Sequence, residues 1–336
     1  MSNDRSIARP SKTAIYGWLA VAAVVLAAFG ASALLHHHSG GPKPTDQQVL
    51  KVGNQLGSTH AVMEAAGVLK DTPYRIEWSL FPAASPLLEA LGAGAIDVGG
   101  MGDAPFAFAY SGGARIKAVQ AYRYIGNEKA SAIVVPANSP LKTIYDLKGR
   151  KIATVHGSAG QDLVLRLLER ASMKPTDVTF VFLDNGSAKA ALSTGAIDAW
   201  STWSSYVGIA LLHDGDRSIA DATGLKKGVG FQAATETAIA NKRAILHDFL
   251  HRLTLAYSWA ATHRDAYAAV LAKETKLPLD VAKFTTRAIY QPVPIGPELA
   301  ADERATFERY KRAGVIDKVP DLTNAYDVSF NDTDRP

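Results

Sequence analysis

KVGNQLGSTHAVMEAAGVLKDTPYRIEWSLFPAASPLLEALGAGAIDVGGMGDAP, residues 51–105, is answered about one hundred positions later by KIATVHGSAGQDLVLRLLERASMKPTDVTFVFLDNGSAKAALSTGAIDAWSTWSSY, residues 151–206. Gly57 and Ser58 stand opposite Gly157 and Ser158, and Leu91, Gly94, Ala95, Ile96 and Asp97 stand opposite Leu192, Gly195, Ala196, Ile197 and Asp198. A repeat this long is two lobes, not a solenoid. Each copy reads as an apolar strand, a Gly-Ser turn, an amphipathic helix, a β-branched or aromatic strand, a second helix and a third strand. Helical crossovers join strands in parallel with right-handed connections. The expectation is an α/β protein of two lobes, each an open, mostly parallel sheet with helices on both faces. Ser85 before Pro86, and Ser187 ahead of AKAALS, are the expected caps of the second helices, with Gly94 and Gly195 closing them.

Outside the copies, the extended stretches 130–136 and 230–235 read as the two crossings between lobes. That assigns residues 49–133 and 234–336 to one lobe and 134–233 to the other, with 1–48 set apart. In residues 240–274, Ile245, Phe249, Leu253, Tyr257 and Ala260 recur every three or four places, one buried helical face that should pack on the first lobe. The Pro-rich tail from Leu277 is expected to wrap that same lobe.

Residues 14–35 carry no charge, follow a short basic segment and precede a polar linker from His36 to Gln48. This is an export leader, and Ala31, Ser32 and Ala33 offer a cleavage site near Ala33. The apolar run is also long enough for an uncleaved anchor. In both cases the bulk of the chain lies outside the cytoplasm. The formal charge of +4 on 336 residues is half due to the leader, which leaves no nucleic-acid footprint. With no cysteine there is no disulfide framework, no thiolate metal site and no thiol nucleophile.

Ligands of open α/β sheets bind beyond the carboxyl ends of the strands, where helix N-termini present free N–H groups. The two Gly-Ser turns, facing each other, would offer backbone donors and two hydroxyls to an anion; Ser58 and Ser158 could equally be plain helix caps. At the third strands, Gly100 to Pro105 lacks the third glycine of a dinucleotide loop. Trp203 is assigned to the cleft and Trp200 to the core, because alternation separates them. Asp97 and Asp198, repeated in both copies, read as devices of the fold. His247 and His251 have metal-ligand spacing but lie beside Arg243 and Arg252 on what reads as a solvated face, and are assigned no metal. No cofactor, serine elbow or triad is evident, so nothing points to an enzyme.

LLEALGAGAIDVGGMGDAP (87–105), DLKGRKIATVHGSAGQDLVLRLLERA (146–171) and AALSTGAIDAWSTW (190–203) together resemble the substrate-binding component of ABC importers of the aliphatic-sulfonate, nitrate and taurine group, nearest its aliphatic-sulfonate branch. The resemblance implies a type II periplasmic binding protein fold, a monomer in the periplasm, and delivery of a small anionic solute to a membrane permease with a separate ATPase. Position by position it implies ligand contacts at Gln55, Gly57, Ser58, Thr59, Gly102 and Asp103 on one side. On the other it implies Gly157, Ser158, Ala159 and Trp203, with Tyr122 and Phe231 near the hinge. Where the family commonly has Trp-Asp-Pro-Tyr this chain has Trp203, Ser204, Ser205 and Tyr206. Loss of a carboxylate at 204 argues against a taurine ammonium. An alkyl or aryl sulfonate, held by backbone donors without an arginine, is the expected solute. Nitrate or another small anion, or a cysteine-free relative of the sulfinate desulfinases, is the alternative.

Overall fold

The computed structural model of the protein describes residues 48–226 and 228–334. The leader, its cleavage point and the linker to Gln47 lie outside the described residues. The first copy forms β1 (Val49–Gln55), α1 (Ser58–Ala65), β2 (Arg75–Phe81), α2 (Ala84–Gly92) and β3 (Val98–Gly102), with β1 paired in parallel to both β2 and β3. α3 (Asp103–Ser111), β4 (Ile116–Ile125) and β5 (Ser131–Val135) follow. The second copy repeats the plan as β6 (Lys151–Thr154), α4 (Ala159–Arg170), β7 (Thr179–Phe182), α5 (Asn185–Ser193) and β8 (Ala199–Trp203), β6 being parallel to both neighbours. After α6 (Ser205–Leu212) and β9 (Arg217–Asp221) come β10 (Val229–Thr235), α7 (Glu236–Asn241), α8 (Arg243–Ala260) and α9 (Arg264–Thr275). The described chain closes with α10 (Leu279–Thr285), β11 (Ile289–Val293), α11 (Pro297–Arg312) and a short 3-10 turn.

Two sheets result, ordered β11-β4-β10-β3-β1-β2 and β7-β6-β8-β5-β9. The fold is the expected two-lobed α/β architecture, but the sheets are mixed rather than mostly parallel: beyond each parallel trio, β10 and β11 run against their neighbours in the first lobe and β5 does so in the second. The strand that arrives from the other lobe, β10 in the first and β5 in the second, slots beside the third strand of the parallel trio and runs against it. The expected crossings therefore move. Residues 131–135 belong wholly to the second sheet and 229–235 wholly to the first, so the chain changes lobes between Ile125 and Ser131 and again between Asp221 and Val229, and the divisions at 133/134 and 233/234 fall inside strands.

Alternation along the strands distributes side chains to two faces. In β5, Ile133 and Val135 meet Leu163, Val164, Leu167 and Leu168 of α4, while Ala132 and Val134 meet α5, α6 and Trp200. In the first lobe, Leu50 and Val52 lie under α1 and the face of α8 carrying Ile245, Phe249, Leu253 and Tyr257. The opposite face holds Leu87 of α2, Phe106 of α3, and Phe307 and Tyr310 of α11. The tail does not keep to one lobe: Val281 and Phe284 of α10 sit against Gly208 of α6, and Phe284 joins the second lobe's core.

Two expected caps are also corrected. α2 is preceded by Ala83, which places Ser85 inside the helix, and α5 is capped by Asp184, whose carboxylate accepts the N–H of Ser187 at 3.0 Å. The duplicated aspartates act on the fold alike: Asp97 accepts the Lys51 N–H at 2.7 Å and Asp198 the Lys151 N–H at 2.8 Å. Each carboxylate ties the entrance of its third strand to that of its first.

Candidate functional site

The turns after β1 and β6 lie on one cavity of about 240 Å³, together with the ends of β3 and β8 and both crossing segments. Nine of the twelve residues expected from the sequence line it: Gln55, Ser58, Thr59, Gly102, Asp103, Tyr122, Ser158, Ala159 and Trp203. Gly57 and Gly157 stand immediately before the lining serines, with φ of 75° and 66° that turn the chain into each helix. Phe231 is elsewhere. It is fully buried on the far side of β10, 5.1 Å from the Phe106 ring, while Gln232 takes the side facing Gly100. Trp203 borders the cavity and Trp200 is in the core, as their alternation requires.

The serine hydroxyls are already engaged. Ser58 Oγ donates to the Gln55 carbonyl at 3.0 Å, and Ser158 Oγ to that of Val155 at 2.6 Å, the same bond in each copy. Ser158 Oγ also caps α4 by accepting from Gln161 N at 3.3 Å. These hydroxyls hold the turns, which leaves main-chain N–H groups as the open donors there. In the first turn, Asn54 Oδ1 takes the N–H groups of Thr59 and His60 at 3.1 and 3.3 Å. In the second, Gln161 Oε1 takes the Gly157 N–H at 2.7 Å and the Val155 carbonyl takes that of Ser158 at 3.3 Å. Among the described residues no partner engages the N–H of Ser58, Ala159 or Gly160, which open α1 and α4 and have no intrahelical acceptor. α4 can seat its first turn this deep because residue 160 is glycine: a Cβ there would lie 2.5 Å from Thr154 Oγ1 and 2.7 Å from the Ser201 carbonyl.

One wall is aromatic. Tyr122 and Tyr124, two apart on β4, meet Tyr257 of α8 and Tyr290 of β11, with ring centroids 4.9–5.4 Å apart. Burial pushes the phenols of Tyr122, Tyr124 and Tyr257 well above the usual value and that of Tyr290 up to about 12, so this wall carries no charge. Of the four, the sequence pointed only to Tyr122. Tyr124 was recoverable from its spacing of two; Tyr257 and Tyr290 lie outside the repeat, where no periodicity indicated a cavity.

The ionisable lining is Asp103, Glu128 and Asp162 against Arg166 and Lys226. Burial, and then the nearby Asp162, push the Asp103 carboxyl up to about 6. Asp162 is tied to Arg309 at 2.8 Å and faces Arg166 at 3.8 Å. Arg166 also donates to the Lys226 carbonyl at 2.5 Å, and the Lys226 ammonium pairs with Asp302. Contrary to the expectation from sequence, an arginine does reach the cavity, and carboxylates line it although position 204 has none. Ser204, with φ of 57°, lines it as well. Among the described residues no cluster of acidic or histidine side chains has metal-binding form, and no helix is long and apolar enough to cross a membrane.

A family model described as NMT1/THI5 like matches residues 81–266. A protein from Escherichia coli (strain K12), named as an aliphatic sulfonates-binding protein, is 34% identical over 284 residues, 82% of this chain and 87% of that one. The taurine-binding periplasmic protein of the same organism is 28% identical over 146 residues, 44% of each chain. Among solved structures, the alkanesulfonate-binding protein SsuA from Xanthomonas axonopodis pv. citri bound to MOPS superposes with a TM-score of 0.74 at 28% identity, covering 82% of this chain and 96% of that one. Periplasmic SsuA from Escherichia coli gives 0.69 at 32% identity, covering 83% and 92%. A cysteine-to-serine mutant of DszB, in complex with biphenyl-2-sulfinic acid, gives 0.62 at 15% identity over 85% of this chain and 98% of that one, a likeness of fold alone.

Proposed function

From the premise that the chain belongs to the NMT1/THI5-like family, alongside the aliphatic-sulfonate-binding proteins, we propose that it is the extracytoplasmic solute receptor of an ABC importer, binding an alkyl or aryl sulfonate in the cavity between its lobes. The observation that carries this reading is the meeting of two strand-to-helix turns, one from each copy, on a single cavity, with the N–H groups of Ser58 and Ala159 unpartnered. A sulfonate is a permanent monoanion with three acceptor oxygens, and helix N-terminal amides from two sides satisfy it well. The tyrosine wall and Trp203 give its carbon skeleton apolar surface. Three acids against two bases around the cavity suit a monoanion better than a dianion.

In this reading the Ser58, Ala159, Trp203 and Tyr122 groups touch the ligand, the protein works in the periplasm, and its partner is an inner-membrane permease with a separate ATPase. It performs no chemistry on its solute. The desulfinase-like alternative has only fold-level support, and the chain has no cysteine to serve as a thiolate nucleophile.

Calorimetric titration with a series from methanesulfonate to octanesulfonate, benzenesulfonate, an alkyl sulfate and nitrate tests this. The expected result is micromolar or tighter binding of at least one sulfonate, and a Tm raised by several degrees at about one hundred times Kd. Affinity should grow with chain length, and Trp203→Ala should flatten that growth. Absence of heat and of thermal shift with every sulfonate refutes the reading.

A further inference from the structure

The opening of α4 is held from behind by a residue of the other lobe. Tyr310 of α11, with no exposed surface and packed in the first lobe's core beside Phe106 and Phe307, donates its hydroxyl to the Ser158 carbonyl at 3.0 Å. That carbonyl also accepts the Asp162 N–H at 3.1 Å within α4, and it shares one planar trans peptide with the Ala159 N–H, so the second bond, from Tyr310, adds an off-helix constraint on the direction of that N–H. The Ala159 N–H is one of the unpartnered donors on the cavity, whereas Tyr310 does not touch the cavity. Burial pushes the Tyr310 phenol far above its usual value, so its proton stays in place to be donated. One residue earlier on α11, Arg309 binds Asp162 at 2.8 Å, pinning the two helices together a turn below the peptide.

The other copy supplies an internal comparison. Tyr267 of α9, 3% exposed, donates to the Ser58 carbonyl at 3.2 Å, so each duplicated serine has a buried tyrosine behind it although the tyrosines come from unrelated helices. The peptide it fixes carries the Thr59 N–H, which Asn54 already takes at 3.1 Å. Only the second copy leaves the oriented N–H open to a ligand.

We propose that Tyr310 is a positioning residue for the ligand: from the first lobe, it aims the Ala159 amide of the second lobe into the cavity. This rests on the receptor reading above for the identity of the ligand, but not for the orientation itself. In a double-mutant cycle read by titration with the best-bound sulfonate, Tyr310→Phe should weaken binding about fivefold, the weight of one net hydrogen bond. In an Ala159→Pro background, which has no N–H to aim, the same change should cost less than about twofold. Tyr267→Phe should lower Tm yet leave Kd within about twofold.

A purely structural role for Tyr310 would make its effect equal in both backgrounds, and that result overturns the proposal, as does unaltered affinity in the single variant. A second readout needs no ligand: in the NMR spectrum of the unliganded protein, Tyr310→Phe should shift the Ser158 carbonyl carbon and the Ala159 amide nitrogen, and unmoved resonances refute the positioning. If the parent binds no sulfonate, the receptor reading falls while those two resonances still decide this one.

Discussion

Replacing Ala159 with proline isolates one donor of the cavity. Ala159 is the first residue of α4, where proline is well tolerated because the N–H it removes has no intrahelical partner. The preceding Ser158 has φ −93° and ψ 169°, the extended conformation that a residue before proline requires. The corresponding change at Ser58 would be less clean, since Gly57 before it sits at φ 75° and ψ −3°. Little stability should therefore be lost, and Tm should stay within about 2 °C, the shift for roughly half a kcal/mol in a chain of this size. Binding is another matter. A hydrogen bond to a charged group contributes about 1.5–3 kcal/mol, so Kd for a sulfonate should rise on the order of 10- to 100-fold. The ring Cδ also takes the place of the amide proton, and unchanged affinity is compatible only with an empty space at that point. Ala159→Gly, which keeps the N–H, should bind within about threefold of the parent. Titration calorimetry on the three proteins, with melting curves alongside, makes the measurement. Equal Kd for Ala159→Pro and the parent would refute the claim that main-chain amides of the second turn hold the anion.

Asp103, raised to about 6, is neutral below that pH and charged above it, whereas a sulfonate does not titrate in this range. Protonation therefore removes a like charge from beside the anion. Affinity should fall about 3- to 10-fold as pH rises from about 5 to 8, and Asp103→Asn should bind at the upper end of that range as the parent does at the lower; a profile that does not flatten assigns the titration to another group. Gly157→Ala combines two costs, a side chain at φ 66° and a Cβ placed 2.4 Å from Phe108 Cγ across the lobe boundary. It should impair binding, with Phe108→Ala in the same chain recovering the steric part but not the roughly 1–2 kcal/mol of backbone strain; calorimetry on all four members of the cycle separates the two.

The architecture was legible because the duplication is written in residues that the fold itself demands. Asp97 and Asp198 fasten strand entrances, and Ser58 and Ser158 fasten turns, so both persist in register whatever the solute. What escaped was information carried by burial on both sides. Every residue of β10 is buried, so no polar and apolar alternation distinguishes its faces, and nothing in the sequence shows that Phe231 packs against Phe106 in the core instead of reaching the cavity. β5 is buried along nearly its whole length for the same reason, and nothing in Ser131–Val135 distinguishes a strand that crosses between sheets from one that belongs to the second. Arg166 escaped differently. At four residues from Asp162 it has the spacing of an ordinary surface pair on an amphipathic helix, and only the crossing segment at Lys226 converts that place into a cavity wall.

The repeat and the non-repeated remainder divide the work of the site. On the receptor reading the two copies supply its donors, the N–H groups of Ser58 and Ala159, from successive positions of equivalent turns, yet a pair of turns alone would give two independent half-sites. The C-terminal part joins them: Arg309 and Tyr310 of α11 bind Asp162 and Ser158 in the other lobe, and Arg309 and Arg312 meet Glu169 at 3.2 and 2.6 Å. Tyr206 of α6 also donates across the lobes, to the Pro82 carbonyl at 3.2 Å. The ion pairs and the Tyr206 bond span the lobes without using the cavity, so they stabilise the lobes as they stand here against a more open arrangement whether or not a solute is inside. A ligand shifts that balance only by interactions it makes better in the closed arrangement. On the receptor reading, an anion that touches both turns does so and one that touches a single turn does not. Selectivity for solute and readiness to dock on a permease then follow from the same two amides, and weakening the α11 ion pairs at Arg309 and Arg312, with Tyr310 left in place, should lower affinity for every ligand by a common factor, leaving their ranking unchanged.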